Sequence, residues 1–476
     1  MASSAQNPHG RSGDDLDRLL RRPRHAPTAP ASGERASDLA PFVALATRVG
    51  AIALVAGASA AEATQSILRM AMSRGGQFQV DVTFTSVMVS GSGGDEEPPV
   101  TMVRTVPALA HDYARLGHLN GVVDAVCSGE LDIREATRLL KEREETGREY
   151  RRWVLLLAAF VQGAAICALL GGDLLEMAVA GLATFLIGVL GLVLRGRRVS
   201  YFFAQVAAGA IPMVLAMLMM YLRQQGIDGL WALSPSLVVA SGMVSMLAGM
   251  GVVAAAQDAL DGYFITAGAR VVELLMRTGG LILGVAGVLW LGVRIGAPAY
   301  LAAQATPMPH PVVQVVSAGL FTLGLGVASG LGPRGALVVA GFGSLGWVAY
   351  LLVLTPVGGE YPLAAGVAAA VVGFLGHLLA RRLGPPAIAI VTVGIAPLMP
   401  GMFLYRALFR LVVGVPAVDP GDSAPELLML SALTGIGLAL GSSVGAVIGR
   451  QLSLPTDRVA RLATLFSLRR GLLRRH

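Results

Sequence analysis

From Trp153 onward the chain is a series of apolar runs, each about 20 residues long, separated by short polar or glycine-rich links. The runs lie at approximately 153–170, 174–194, 201–222, 235–256, 279–295, 312–331, 335–355, 362–380, 385–405 and 427–449. Each can cross a hydrocarbon core roughly 30 Å thick, so the pattern predicts a mostly α polytopic membrane protein with about ten transmembrane helices. Before Trp153 the pattern changes. Phe42–Ser73 reads as a helix stopped by Arg74-Gly75-Gly76. Phe78, Val80, Val82 and Phe84 then alternate with Gln79, Asp81 and Thr83, the period of a half-buried strand. Val100–Val106 reads as the returning strand across a turn at Gly91–Pro99, followed by helices over Ala108–Ser128 and Leu131–Gly147. Residues 41–150 therefore form a small N-terminal α+β domain. Residues 1–40 are polar and proline-bearing, a disordered leader with no signal peptide, and 451–476 form a basic tail.

One run departs from a regular helix. Gly384–Arg406 carries Pro397, Pro400 and Gly401 within five residues. Proline removes a backbone donor and clashes with the preceding turn, so the helix breaks or kinks here. In a bilayer such a break survives only where it is buried in protein or lines a cavity. Broken membrane helices are the pattern that points to a carrier's binding site. A second stretch matches it: Gly242–Met250 reads GMVSMLAGM and Gly394–Met402 reads GIAPLMPGM, with an offset of 402 − 250 = 152. Val179-Ala180-Gly181 likewise recurs as Val339-Ala340-Gly341, with an offset of 339 − 179 = 160. Two matches in the same order indicate an internal duplication. Ten spans then divide into two five-helix halves, 151–300 and 301–450, and an odd number of spans per half inverts the second across the membrane. The fourth and ninth spans become symmetry mates whose glycine segments meet near the midplane.

Charge placement orients the spans. With the N-terminal domain in the cytosol, eight arginines fall in cytosolic loops and four in outer loops, before the basic tail is counted. This satisfies the positive-inside rule and puts both termini in the cytosol of a cell-membrane protein. The net charge of +7 reflects that tail, which faces anionic lipid, and not a nucleic-acid surface. Lys141 is the only lysine, so no G-x-x-x-x-G-K-[ST] loop exists and the chain carries no ATP motor of its own. Cys127 and Cys167 fall in different regions and imply no disulfide framework. No H-E-x-x-H pattern supports a hydrolase, and the chain reads as a non-enzyme with no cofactor. His111 and His118 share a helix face, but with Cys127 nine residues on they fall short of a zinc ligand set, so no metal is expected.

Several segments are family-like. VDVTFTSV (Val80–Val87), HDYARL (His111–Leu116), LLGGD (Leu169–Asp173) and PSLVVASGMVSMLAGM (Pro235–Met250) resemble the threonine/serine exporter (ThrE) family. So do QDALDGYFITAGARVVELLMRTGG (Gln257–Gly280) and APLMPGMFLYRAL (Ala396–Leu408), and the resemblance covers roughly Pro41 to Arg450. It implies a ten-span carrier that exports L-threonine and L-serine, driven by the membrane potential and proton gradient, with a cytosolic domain of unsettled role. Related two-subunit exporters are linked to succinate, so a small dicarboxylate is the alternative substrate, and a membrane-anchored hydrolase a remoter one. The partners implied are the small-molecule substrate, protons and membrane lipids, with a homo-oligomer left open.

An amino-acid carrier must satisfy an ammonium and a carboxylate, and acids at the edge of a bilayer are costly enough to be functional. Asp258 and Asp261 follow the fourth span; either could take the ammonium or carry a proton, or cap a solvated helix end. Asp173 and Glu176 lie between the first two spans, where a solvated outer loop is the simpler reading. Arg406, just past the break, could meet a substrate carboxylate or snorkel to headgroups, and Tyr405 reads as an interfacial aromatic. A half-helix N-terminus at Gly401, with partial positive charge, is an equal candidate for the carboxylate. The expected site therefore gathers Pro397, Pro400, Gly401, Gly242 and Gly249 with these polar groups. Glu62 reads as a solvated position on its helix.

Overall fold

The protein is described from a computed structural model covering residues 36–74, 77–92, 98–106, 111–145, 150–194, 197, 199–225, 234–246, 249–294, 309–357, 361–413 and 423–452. Residues 1–35 of the expected leader, 453–476 of the basic tail and the tip of the Gly91–Pro99 turn lie outside these residues, while 36–40, expected in the leader, are helical. The chain divides into two compact units. The first takes the chain up to Arg151 together with Asp258–Ala269 and Ser329–Leu331; the second takes Arg152–Gln257, Arg270–Ala328 and the chain from Gly332.

In the first unit, helices α1 (Ala36–Val55) and α2 (Ala60–Arg74) precede strands β1 (Gln77–Val82), β2 (Ser86–Ser92) and β3 (Val100–Thr105). Helices α3 (Tyr113–Cys127) and α4 (Ile133–Glu145) follow. The single helix expected over Phe42–Ser73 is two, for a local reason. Gly57 sits at φ 98°, a left-handed conformation that ends α1, and Ala58 N–H closes back on the Ala53 carbonyl at 3.0 Å. Ser59 and Glu62 then form a capping box: Ser59 N–H donates to Glu62 Oε2 and Glu62 N–H to Ser59 Oγ, both at 3.2 Å. Glu62 is thus a helix-start residue.

The strand after β1 is β2, which the sequence reading passed over. It pairs antiparallel with β1, Val82 opposite Val87, and with β3, Val89 opposite Met102, giving the order β1-β2-β3. Alternate β2 residues Val87 and Val89 are fully buried against α1, whose Phe42, Leu45, Ala46 and Val49 form the other side of the core. Gly50 allows the close approach: a Cβ there would lie 2.6 Å from Ile67 Cδ1 and 2.9 Å from Val87 Cγ1. Arg48 on α1 pairs with Glu144 on α4 at 2.8 Å.

The second unit contains α5 (Arg152–Leu169), α6 (Leu174–Leu194), α7 (Tyr201–Gln224), α8 (Pro235–Met246), most of α9 (Gly249–Leu260) and most of α10 (Phe264–Arg294). It continues with α11 (Pro311–Ala328), α12 (Pro333–Val357), α13 (Tyr361–Leu383), α14 (Ala387–Gly394), α15 (Gly401–Val413) and α16 (Ala424–Leu452). Eight helices among the described residues are long and apolar enough to cross a membrane. They correspond to every expected span except the fourth, described as helix over Pro235–Met246 and Gly249–Leu260, and the ninth, which is built from shorter helices. The fifth span begins earlier than expected, at Phe264, so Arg270 and Arg277 are helical and not loop residues.

The packing repeats along the chain. α8 packs on α5, α6 and α7, and α14 packs on α11, α12 and α13. A Cβ on Gly163 would strike Thr184 Oγ1 and the Ala180 carbonyl; one on Gly319 would strike Ser344 Oγ and come near the Ala340 carbonyl, at 340 − 180 = 344 − 184 = 160. A Cβ on Gly242 would lie 2.8 Å from Pro212 Cβ, and one on Gly394 3.1 Å from Val372 Cγ1, with 372 − 212 = 160. α10 approaches α7 at Gly280 and Gly284, and α16 approaches α13 at Gly437 and Gly441, with 437 − 280 = 441 − 284 = 157. Backbones meet at such small residues because lipid offers no hydrophobic drive to bring helices together and close packing must supply it.

Gly242→Ala and Gly394→Ala should each destabilise the purified protein by about 1–3 kcal/mol through overpacking. Gly341→Ala, where nothing lies within 4 Å, should be neutral or slightly stabilising. Thermal unfolding followed by size-exclusion chromatography in detergent reads the difference. In the first unit, burial, with help from the Arg143 charge, lowers the pKa of His118 below its ordinary 6.5. The unfolded chain then binds that proton more readily, so stabilisation is complete above about pH 6.5 and is lost as the pH falls below it. Amide protection within α3, measured relative to the intrinsic exchange rate at each pH, should fall between pH 7 and 5.5, and His118→Gln should flatten that change.

Candidate functional site

The ninth span begins where Pro386, at φ −55° and ψ 141°, caps α14. After Gly394 the helix tightens into a 3-10 turn, Ala396–Leu398, with Pro397 near its start. Leu398 N–H bonds the Ile395 carbonyl at 3.0 Å and Met399 N–H the Ala396 carbonyl at 3.2 Å. Met399 is then extended, φ −65° and ψ 145°, the conformation that Pro400 imposes on its predecessor. Helix resumes at Gly401, and Leu404 N–H takes the Pro400 carbonyl at 3.1 Å. Ala396, Leu398, Pro400 and Gly401 are all buried. The interruption is therefore enclosed by protein, as backbone at membrane depth must be.

The fourth span begins in register with it. Its helix starts at Pro235 and that of the ninth at Ala387, 387 − 235 = 152, and Gly249 on the helical segment Gly249–Leu260 matches Gly401, 401 − 249 = 152. Leu247 and Ala248, between Met246 and Gly249, lie outside the described residues. α8 and α15 pack together, and an apolar cluster joins them. It holds Val239, Ala240 and Met243 of α8, Ala208 and Met213 of α7 and Leu281 and Val285 of α10, with Met402 and Leu404 of α15 against it. The structure thus brings Gly242, Pro400 and Gly401 into neighbouring elements around one core.

The polar candidates are not gathered there. Arg406 is exposed on α15, and the Tyr405 side chain lies outside the described residues. Asp173 and Asp261 are exposed. Asp258 belongs to the first unit, is fully buried, and accepts from Ala60 N–H at 3.3 Å. Ala60 opens α2, so this carboxylate faces the positive end of a helix next to the Ser59–Glu62 box. It is neither solvated nor at a helix surface.

Glu176 is the residue the sequence reading undervalued. It is 3% exposed, and its carboxylate accepts from two backbone N–H groups: Asp173 at 2.8 Å and, through the other oxygen, Ser234. It thereby closes the N-terminus of α6 and reaches the residue that precedes α8. Asp173-Leu-Leu-Glu176 has capping-box spacing, which was the available signal. Its reach to Ser234, 58 residues on, had none.

Comparison with known proteins follows the same division. A family model described as "Putative threonine/serine exporter" matches residues 44–292, and another, "Threonine/Serine exporter, ThrE", matches residues 314–448. A Mycobacterium tuberculosis protein named "Probable threonine/serine exporter" is 32% identical over 399 residues, covering 82% of this chain and 72% of that protein. A Corynebacterium glutamicum "Threonine/serine exporter" is 27% identical over 453 residues, covering 92% and 89%. No solved structure matches. Multiple membrane-length helices, an interrupted ninth span and these matches converge: the chain is a polytopic membrane protein that belongs to the threonine/serine exporter family.

Proposed function

We propose that the protein is a secondary carrier that exports small amino acids, threonine and serine among them, across the cell membrane by alternating access. The observation that carries the proposal is the buried interruption of the ninth span, in a member of this family whose fourth span starts at the matched position. Discontinuous helices at corresponding places in two halves are where carriers of many folds bind substrate. The two halves are read as inverted repeats: five spans each, with offsets of 160 at the second and third spans, 152 at the fourth and 157 at the fifth. The fourth and ninth spans line the substrate path, and Pro397, Pro400, Gly401, Gly242 and Gly249 shape the breaks that let their pieces tilt. Both termini and the first unit lie in the cytosol, in keeping with the arginine distribution. The drive is the proton motive force.

Asp258 is the proton-coupling candidate. A neutral carboxyl accepts a backbone N–H more weakly than a carboxylate does, so protonation loosens its hold on the start of α2. That makes it a group through which a proton can act without touching substrate.

The test is counterflow of labelled threonine in proteoliposomes containing the full chain. Uptake should accelerate when unlabelled threonine or serine is trapped inside, and a proton gradient should drive accumulation that a protonophore abolishes. Acceleration by trapped succinate and not by threonine would reject the amino-acid reading. Asp258→Asn should retain exchange, which needs no net proton movement, while gradient-driven accumulation falls about tenfold. Equal loss of both would return Asp258 to a structural role.

A further inference from the structure

A polar cluster between α7 and α10 has no role in the account above. Tyr201 is the first residue of α7 and Gln205 stands one turn further; Glu273 and Arg277 stand one turn apart on α10. Arg277 pairs with Glu273, and its guanidinium lies over the Tyr201 ring, 4.7 Å from the centroid. Gln205 Nε2 donates to the Tyr201 hydroxyl at 2.6 Å. Gly280 brings the two helices together here, since a Cβ on it would lie 2.9 Å from Gln205 Cβ.

The cluster is incomplete as it stands. Gln205 is 4% exposed, yet its Oε1 has no hydrogen-bond partner, and neither does Arg277 Nε. Buried polar atoms are nearly always paired, and an orphan acceptor and an orphan guanidinium donor that share Tyr201 as neighbour make a place prepared for another molecule. The Arg277 and Glu273 side chains are 23% and 29% exposed, so the charged pair is reachable while the amide behind it is dry. A helix staple made only to join Glu273 to Arg277 would need neither Gln205 nor its unpaired oxygen.

We propose that Tyr201, Gln205, Glu273 and Arg277 form the recognition site at which a zwitterionic hydroxy amino acid is captured before translocation. The inference rests on the exporter reading and adds the residues. Arg277 takes the substrate carboxylate, a planar fork meeting a planar anion. Glu273 takes the ammonium, so the ion pair present without substrate is exchanged for two pairs with it. Gln205 Oε1 accepts from the side-chain hydroxyl, which gives the site a reason to prefer threonine and serine over residues without one. No net charge is buried or moved in the exchange.

Two placements support the assignment. Along the same two helices the next turns carry Ala208 and Leu281, members of the apolar cluster that joins α8 to α15. The polar site therefore leads into the core around the fourth and ninth spans. The second half lacks the pair: at the offset of 157, Glu273 and Arg277 correspond to Leu430 and Thr434, whose hydroxyl is satisfied by the Leu430 carbonyl at 2.7 Å. At the offset of 160, Tyr201 corresponds to Tyr361 but Gln205 to Ala365. Recognition is built on one of two otherwise matching frames, which suits a carrier that must capture substrate from one side.

The test measures competition against labelled threonine counterflow by threonine, threoninol (carboxylate replaced by hydroxymethyl) and 2-aminobutyrate (no hydroxyl). Arg277→Ala should raise the half-saturating threonine concentration about tenfold or more while leaving threoninol competition unchanged. Gln205→Leu should weaken threonine several-fold and leave 2-aminobutyrate unchanged. If Arg277→Ala is not recovered folded, Glu273→Gln decides with 3-hydroxybutyrate, which lacks the ammonium, in place of threoninol. Threonine and analogue weakening together, or a lower maximal rate with unchanged half-saturation, would overturn the site. Wild-type protein without threonine counterflow would overturn the exporter reading and this site with it; wild-type transport with insensitive variants would overturn the site alone.

Discussion

The constraint on which the second unit depends is that backbone polar groups in hydrocarbon have no water to bond. Continuous helices meet it within themselves; an interrupted helix meets it only inside protein. The turn at Ala396–Leu398 satisfies it by short-range bonds and by burial, with α11 and α12 packed against it. Everything around the break serves that enclosure. The surrounding hairpins approach closely through small residues, and α8 is seated on three helices as α14 is.

The same need recurs at helix ends, where the first N–H groups have no partner in their own helix. Glu62, Asp112, Glu176 and Asp258 all meet such groups, at 2.8 to 3.3 Å where a distance is given. Two of the four act within their own turn. Asp258 acts on a helix nearly two hundred residues away, and Glu176 serves both its own helix and Ser234. The chain thus spends several of its few acids on joining helix starts. For Glu62, Asp112 and Glu176 that use is structural, which leaves Asp258 as the one of the four through which a proton could also act.

How much of this was legible depends on the range of the interaction. Apolar run length gave eight membrane helices, and proline spacing gave the break at Pro397 and Pro400, because both are local. The offset between Gly242–Met250 and Gly394–Met402 gave the register of the fourth and ninth spans, since it compares sequence with sequence. The division at Gly57 was readable from Ser59 and Glu62 but was hidden by the apolar run on either side. β2 was missed because Ser86–Ser92 mixes serine and glycine into its alternation, and its burial comes from α1. Arg277 was assigned to a loop since a charge ends an apolar window, whereas the helix runs through it from Phe264. The long-range contacts, Asp258 to Ala60 and Glu176 to Ser234, had no signal in one sequence.

The seam between α13 and α16 has one further consequence. Gly366, Gly373, Gly441, Gly445 and Gly449 leave backbone facing backbone along most of its length. Where glycine faces backbone, there are few rotamers to reset and few knobs to ratchet past one another. Two rods in such contact bend or slide only by breaking the contact along its whole length. They behave as a single spar, and a spar gives the shorter, jointed pieces beside it something stiff to swing against.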